Sequence, residues 1–169
     1  NLYHLSYGMV ELPEGKMKSR EGTVVDADDL IETMKSEAEK VSTELGKLDD
    51  FSREDKLEVF REIALGALKY FILKVDPQKT MLFNPADSID FNGNTGPFLQ
   101  YTYVRIKSLL AKAEEKGIRY DSSFGENIIL ESREKDLIRR LELYPDLLQE
   151  AAKQFSPALI ANYLYELVK

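Results

Sequence analysis

Residues 52–77 constrain the fold of this chain more strongly than any other segment. Ser52 followed by Asp55 is typical of a helix N-terminus, and Pro77 ends the segment because proline cannot continue a helix. Between these signals, apolar residues at helical spacing form one wide stripe: Leu57, Phe60, Ala64, Ala67, Leu68, Phe71, Ile72 and Val75. A stripe of this width has to be covered, so other elements are expected to pack on it.

Similar caps and breakers predict that most of the remaining chain is helical. An aspartate at position 26 begins an amphipathic segment that runs to about residue 45, and Gly117 follows another that starts near residue 97. Three further helices are predicted over residues 132–143, 146–155 and 157–169, the last preceded by Ser156 as its cap.

Strand content is predicted to be minor. Residues 2–10 have the pattern of a strand, and residues 80–91 alternate around a turn-forming run at 84–87, which predicts a short hairpin. The predicted fold class is therefore mainly α: a helical bundle with a short β-hairpin and an N-terminal strand and loop.

Composition excludes several classes of function. The 169 residues contain no cysteine and a single histidine, His4, so thiolate zinc sites, disulfides and multi-histidine metal sites are excluded. No apolar run approaches the roughly 20 residues of a membrane helix. Three early acids, Asp26, Asp28 and Asp29, are explained better by helix capping than by metal binding. The net charge of −7 means that any RNA contact requires a local basic face.

A glycine-bracketed loop, residues 15–23, is the most unusual segment. Lys16, Lys18 and Arg20 place three cations within five positions, and such a loop can close over a polyphosphate. The same pattern is also typical of a solvated turn between a strand and a helix. Spacing alone leaves both interpretations open.

The helix predicted over residues 97–116 has two distinct faces. One is an apolar stripe expected to be buried, made of Leu99, Tyr103, Ile106, Leu110 and Ala113. The other carries Tyr101, Arg105, Ser108, Lys112 and Lys116, and residues 98–119 have a local net charge of +3. An aromatic ring beside a basic stripe can stack on bases and bind phosphates, although a solvated face has the same pattern. The preceding run at 93–96 is read as a turn and helix cap rather than a phosphate nest.

Two stretches of this chain carry a family resemblance. His4 and residues 7–10, followed by residues 15–30, resemble the KMSKS-type signature loop of arginyl-tRNA synthetase, a class I aminoacyl-tRNA synthetase, with the strand before it and the helix after it. Residues 93–101 with Arg105 and Ile106 resemble the start of that family's helical anticodon-binding domain. The similarity continues through Glu134, Leu137, Ile138, Leu141, Tyr144, Pro145, Ala151, Ala152, Pro157, Leu159, Tyr163, Leu164 and Leu167.

The first stretch implies ATP-dependent activation of arginine. On this resemblance Lys16 and Lys18 are the catalytic cations that hold the triphosphate while the carboxylate of arginine attacks the α-phosphate. Lys18, Ser19 and Arg20 stand where the class pattern has Ser, Lys and Ser, so the cation that replaces the second signature lysine stays open. The implied ATP-binding residues are Gly8, Met9, Val10, Lys16, Met17, Lys18, Ser19 and Arg20.

The second stretch implies binding of the tRNA specific for arginine through Gln100, Tyr101, Arg105 and Lys112. Residues 1–92 are then expected to form the end of a catalytic domain, and residues 93–169 the first, truncated part of the anticodon-binding domain. The implied parent is a cytoplasmic arginine–tRNA ligase that uses ATP with Mg²⁺, with no membrane or DNA partner and no protein metal site in this stretch.

The ends of the chain favour an internal piece of that parent. The first residue, Asn1, already lies in a strand pattern, and the last helix reaches Lys169 without a C-terminal signal. The catalytic half with the HIGH-type motif is expected upstream, so the chain alone is expected to be inactive. The alternative is a free-standing helical RNA-binding or scaffold module whose basic loop never meets ATP.

Overall fold

The computed structural model describes residues 2–13, 26–44, 48, 51–118 and 129–169. It is mainly helical, as the sequence predicts. In chain order the described elements are β1 (Val10–Glu11), α1 (Ala27–Glu44), α2 (Arg53–Leu73), β2 (Met81–Leu82), α3 (Pro85–Ser88), α4 (Gly96–Glu115), α5 (Ser132–Glu142), α6 (Tyr144–Gln154) and α7 (Pro157–Val168). None of the helices in these ranges is long and apolar enough to span a bilayer.

The core lies between α1 and α2 and is closed by the segment around α3. The predicted cap of α2 is present, since the backbone N–H of Asp55 donates to Ser52 Oγ at 3.1 Å. The phenyl rings of Phe71 and Phe83 meet edge to face with centroids 5.0 Å apart. The buried cluster consists of Met34, Ala38, Phe60, Ala64, Ala67, Phe83 and Ile89. Part of the predicted α2 stripe is therefore buried, while its ends at Leu57 and Ile72 are exposed.

The strand predictions are wrong in two respects. The strand expected over residues 2–10 begins only at Val10, and the hairpin expected within residues 80–91 is absent. Instead, β1 and β2 pair in parallel, with Val10 opposite Met81. Asn84 accepts a hydrogen bond from the N–H of Ala86, and proline at the next position favours a helical turn, so the chain enters α3 instead of folding back. The strand β2 therefore pairs with the N-terminal segment.

Helix α4 crosses α2 at a pair of glycines. A Cβ atom on Gly96 would lie 2.3 Å from the carbonyl oxygen of Gly66, so a side chain at this position would force the helices apart. The α4 N-terminus is capped by Thr95, whose hydroxyl accepts from the N–H of Phe98 and donates to the carbonyl of Asp90. This close backbone approach fixes where the first turns of α4 lie.

The predicted burial of the α4 stripe is wrong for most of its length. Tyr103 is 61% exposed, Ile106 is 51% exposed and Leu110 is 39% exposed, whereas Leu99 and Ala113 are half-buried. The physical reason is that neighbouring helices meet α4 near its N-terminus, where the ring of Phe98 lies 5.8 Å from that of Tyr165 on α7. Residues 103–112 all remain exposed within the described part of the chain.

Candidate nucleic-acid interface

The second and third turns of α4 carry an aromatic ring paired with a cation. The guanidinium of Arg105 lies 5.7 Å from the centre of the Tyr101 ring, and the ring of Phe91 approaches Tyr101 edge-on with centroids 6.5 Å apart. A cation over an aromatic face contributes about 0.5–1 kcal/mol at an exposed site, enough to bias both side chains towards one geometry. Tyr101 and Arg105, both predicted from the sequence, are therefore brought together.

The cations of α4 have no ion-pair partner among the residues that the structure describes. Lys107 lies 5.8 Å from the ring centre of Tyr103, and Lys112 lies farther along the helix. Within the described ranges, no ion pair involves a cation of α4. By contrast, Lys35, Arg61 and Arg139 each pair with an acid three residues earlier on their own helix. The positive charge of α4 is therefore available to an external anion.

A groove of about 740 Å³ opens beside this ring and separates the start of α4 from α1 and α2. Its walls are largely apolar and include Val59, Ile63 and Leu99, with Tyr101 at its edge. A cavity of this size and character is typical of a binding site for a small molecule or a single base.

Two buried oxygen atoms in the groove lack a hydrogen-bond partner among the described residues. Gln100 donates from Nε2 to the carbonyl of Glu62 at 3.0 Å, which leaves its Oε1 unsatisfied, and the hydroxyl oxygen of Ser42 is also unsatisfied. A buried polar atom without a partner costs about 1–3 kcal/mol. These two atoms are therefore the groove's natural contacts for a polar group of a ligand, and Gln100 also positions α4 on α2.

The predicted adenine-bordering residues lie at the N-terminal sheet. The N–H of Gly8 donates to the carbonyl of Pro77 at 2.7 Å, and a Cβ atom at Gly8 would lie 2.2 Å from the carbonyl oxygen of Lys79. Met9 continues this contact by accepting from the N–H of Met81 at 2.9 Å. Glycine at position 8 is therefore required by backbone packing, whatever else binds there.

The remaining nucleotide-site predictions are untested by the geometry. Lys16, Met17, Lys18, Ser19 and Arg20 lie outside the described residues. Within the described residues, no group of three or more histidine, cysteine or acidic side chains is arranged to hold a metal ion.

Sequence reasoning missed the contributions of α1 and α2 to the groove. Ser42, Val59 and Ile63 appear in the sequence only as helix-face residues, and they line one groove with Tyr101 because α1 and α4 both pack on α2. The one local signal for this crossing is the pair of glycines at 66 and 96, each inside or at the start of a helix.

Comparison with known proteins first defines the class of domain. Residues 99–169 match the family model of the DALR anticodon binding domain. This range begins in the first turn of α4 and includes α5, α6 and α7.

The full chain then aligns with particular proteins. It is 60% identical over all of its 169 residues to an arginine–tRNA ligase of Flavobacterium psychrophilum, and 58% identical over 99% of its length to one of Parabacteroides distasonis. It superposes on the arginyl-tRNA synthetase of Thermus thermophilus with a TM-score of 0.81 at 28% identity, covering 98% of this chain and 26% of that chain. The chain is similar to arginyl-tRNA synthetases along essentially its whole length, and it spans 27–28% of the length of these two relatives.

Proposed function

We propose that this chain is part of an arginine–tRNA ligase. Such an enzyme activates arginine with ATP and transfers the aminoacyl group to tRNA. The observation that carries the proposal is identity of 56–60% along essentially the whole chain with proteins named for that activity. The rival function, a free-standing helical RNA-binding or scaffold module, is not favoured, because the similarity includes the N-terminal half as well as the anticodon-binding helices.

In this function, α4 binds the tRNA that is specific for arginine. Tyr101 offers a flat ring for stacking, and a stacked base contributes about 1–3 kcal/mol. Arg105 and Lys112, which have no carboxylate partner in the described structure, bind phosphates. Gln100 contributes the unsatisfied Oε1 atom as an acceptor for a base amino group. Residues 93–169 then form the first part of the anticodon-binding domain, and residues 1–92 the end of the catalytic domain.

We assign the ATP contacts to the N-terminal segment. Lys16 and Lys18 act as the catalytic cations on the triphosphate, assisted by Met17, Ser19 and Arg20 of the same loop. The backbone of Gly8, Met9 and Val10 borders the adenine. When bound, Mg²⁺ neutralises phosphate charge, and this chain is expected to supply no cage of protein ligands for it. The proposed setting is the cytoplasm, without a membrane or DNA partner.

The tRNA assignment is tested by salt-dependent binding in the full-length protein. Arg105→Ala and Lys112→Ala should each weaken binding of arginine tRNA and lower the slope of log K against log salt by about one, the amount expected for one lost phosphate contact. Arg61→Ala is the matched control, because Arg61 is exposed but paired with Glu58 at 3.1 Å. Unchanged slopes in the two α4 variants would place this face away from RNA.

The ATP assignment is tested separately. A full-length protein carrying Lys16→Ala and Lys18→Ala should lose arginyl-adenylate formation and retain its affinity for tRNA. Normal adenylate formation by this variant would contradict the role of the loop. The isolated 169-residue chain is expected to charge no tRNA, because residues 1–92 provide only part of a nucleotide site.

A further inference from the structure

A buried tyrosine of α2 contacts both α7 and the loop before α4. Tyr70, on α2, is only 9% exposed, and its hydroxyl lies 2.6 Å from Asn94 Oδ1 and 3.0 Å from the carbonyl oxygen of Ala161 on α7. A phenol has one proton and can donate to one of these atoms only. Both contacts are satisfied when Tyr70 donates to Ala161 and the Asn94 amide, turned by 180°, donates its N–H to Tyr70.

Lys74, the C-cap residue of α2, makes a similar connection one turn later. The ammonium of Lys74 donates to the carbonyl oxygen of Asn94 at 2.7 Å, and the carbonyl oxygen of Lys74 accepts from Asn162 Nδ2 at 3.0 Å. Asn162 also donates to the carbonyl of Ala158 on its own helix at 2.8 Å. Lys74, at the C-terminal end of α2, therefore contacts both the loop before α4 and the side of α7.

These contacts cross the boundary of the anticodon-binding domain. Tyr70 and Lys74 precede the residues that match the domain, whereas Ala161 and Asn162 lie inside it, and Asn94 lies just before its first helix. The glycine pair brings α2 and α4 into backbone contact at one point, and the polar contacts lie beside this point, where they can set the angle between the helices.

We propose that Tyr70, Lys74 and Asn162 form a joint that sets the angle of the anticodon-binding helices and so positions tRNA on the ligase. This inference rests on the proposed function. Helix α4 pivots at this joint, and Lys112 lies 16 residues beyond Gly96, a distance of roughly 24 Å at 1.5 Å per residue. A tilt of about 10° at the joint moves Lys112 by roughly 4 Å, which is more than the length of a hydrogen bond.

The joint makes Tyr70 a positioning residue for tRNA. Without the hydroxyl, the ring of Tyr70 still fills its site, while α7 and the loop before α4 lose the group that holds them at one angle. The interactions of α4 with RNA then form in only a fraction of the molecules, which reduces apparent affinity in proportion to that fraction. Binding of arginine and ATP, which does not depend on α4 in the proposed function, is unaffected.

The decisive experiment is steady-state arginylation by the full-length protein carrying Tyr70→Phe. We expect the KM for tRNA to rise about fivefold to tenfold, the equivalent of one lost hydrogen bond, while the KM values for arginine and ATP and the kcat stay within about twofold. Tyr163→Phe is the matched control, because it removes a tyrosine hydroxyl that donates to the carbonyl of Arg140 at 2.8 Å, wholly inside the domain. This control should leave the KM for tRNA unchanged.

A second variant, Asn162→Ala, keeps the test decisive if Tyr70→Phe folds poorly, and a double mutant of Tyr70 and Lys112 tests the coupling to α4 if Tyr70→Phe folds well. Asn162→Ala changes an exposed residue and should raise the KM for tRNA by a smaller factor. In the Tyr70→Phe background, Lys112→Ala should have less effect on tRNA binding than in the unaltered protein, since the helix that carries Lys112 is already displaced.

Three outcomes would overturn the joint: a fall in kcat with no change in the KM for tRNA, equal effects of Tyr70→Phe and Tyr163→Phe, or full additivity with Lys112→Ala. Failure of the proposed function looks different, because the unaltered protein would then neither bind nor charge arginine tRNA.

Discussion

Helices α2 and α4 have similar apolar periodicity, but the stripe of α2 is largely covered by other elements and most of the stripe of α4 is exposed. The stripe of α2 meets α1 and the segment around α3, and Phe60, Ala64 and Ala67 are buried there. The stripe of α4 leaves Ile106 half exposed. The difference teaches that periodicity identifies which residues share a face, while burial depends on whether another element of the described chain packs on that face.

The largest expected difference between these regions is in the free energy of unfolding. Met34→Ala, in the cluster between α1 and α2, should destabilise the 169-residue chain by about 2–5 kcal/mol, because it leaves a cavity at a fully buried site. Ile106→Ala should cost less than about 1 kcal/mol, because half of its surface is already in water. Urea unfolding of both variants measures the two values.

Similar losses of unfolding free energy for Met34→Ala and Ile106→Ala would contradict the contrast between the buried stripe of α2 and the exposed stripe of α4. They would mean that the α4 stripe is covered when the chain is in solution, and that the regions differ less than their exposed fractions indicate.

The next prediction concerns the contact between the two regions and its dependence on pH. Burial, with a smaller contribution from Tyr165, raises the pKa of Tyr70 from 10.0 to about 12. The folded pKa lies above the unfolded one, so the stabilising contribution is complete below pH 10 and is lost as the pH rises from about 10 to about 12. Urea midpoints measured from pH 9 upward should therefore fall more steeply for the unaltered chain than for Tyr70→Phe.

The pKa shift of Lys74, which lies one helical turn after Tyr70, changes stability with pH in the opposite direction. Lys74 is therefore kept in both proteins that are compared. Desolvation lowers its pKa below 10.5, so the unfolded chain binds the proton more tightly and this group makes stability rise with pH in that range. Because Lys74 is present in both proteins, its contribution cancels in the difference. Parallel pH profiles for the unaltered chain and Tyr70→Phe would show that the hydroxyl is not protected by folding.

The ability to predict these features depends on the sequence distance between the interacting groups. The bounds of α1, α2 and α4 follow closely from local signals such as the Ser52 cap and Gly117, whose φ of +70° suits a residue without a side chain. The parallel pairing of Val10 with Met81 was not predictable, since each strand has only two residues and its partner is about seventy positions away.

Sequence distance also separates the predictable contacts of the candidate site from the others. Tyr101 and Arg105 are four residues apart on one helix, so their contact follows from helical geometry alone. The groove beside them requires α1, α2 and α4 to meet, and the Tyr70 contact with Ala161 joins residues 91 positions apart. No periodicity in the sequence encodes such a meeting, which depends on how the helices cross.

The smallest expected effect compares two serines that are predicted to cap helices, Ser52 before α2 and Ser156 before α7. Both Ser52 and Ser156 precede a helix, yet only Ser52 accepts a hydrogen bond from the helix backbone; the Ser156 side chain makes no capping bond. Ser52→Ala should therefore cost about 1 kcal/mol in urea unfolding, whereas Ser156→Ala should cost only a few tenths, since no capping bond is lost. An equal loss for Ser156→Ala would show that α7 is capped in solution as α2 is, and that the N-termini of the two helices are stabilised in the same way.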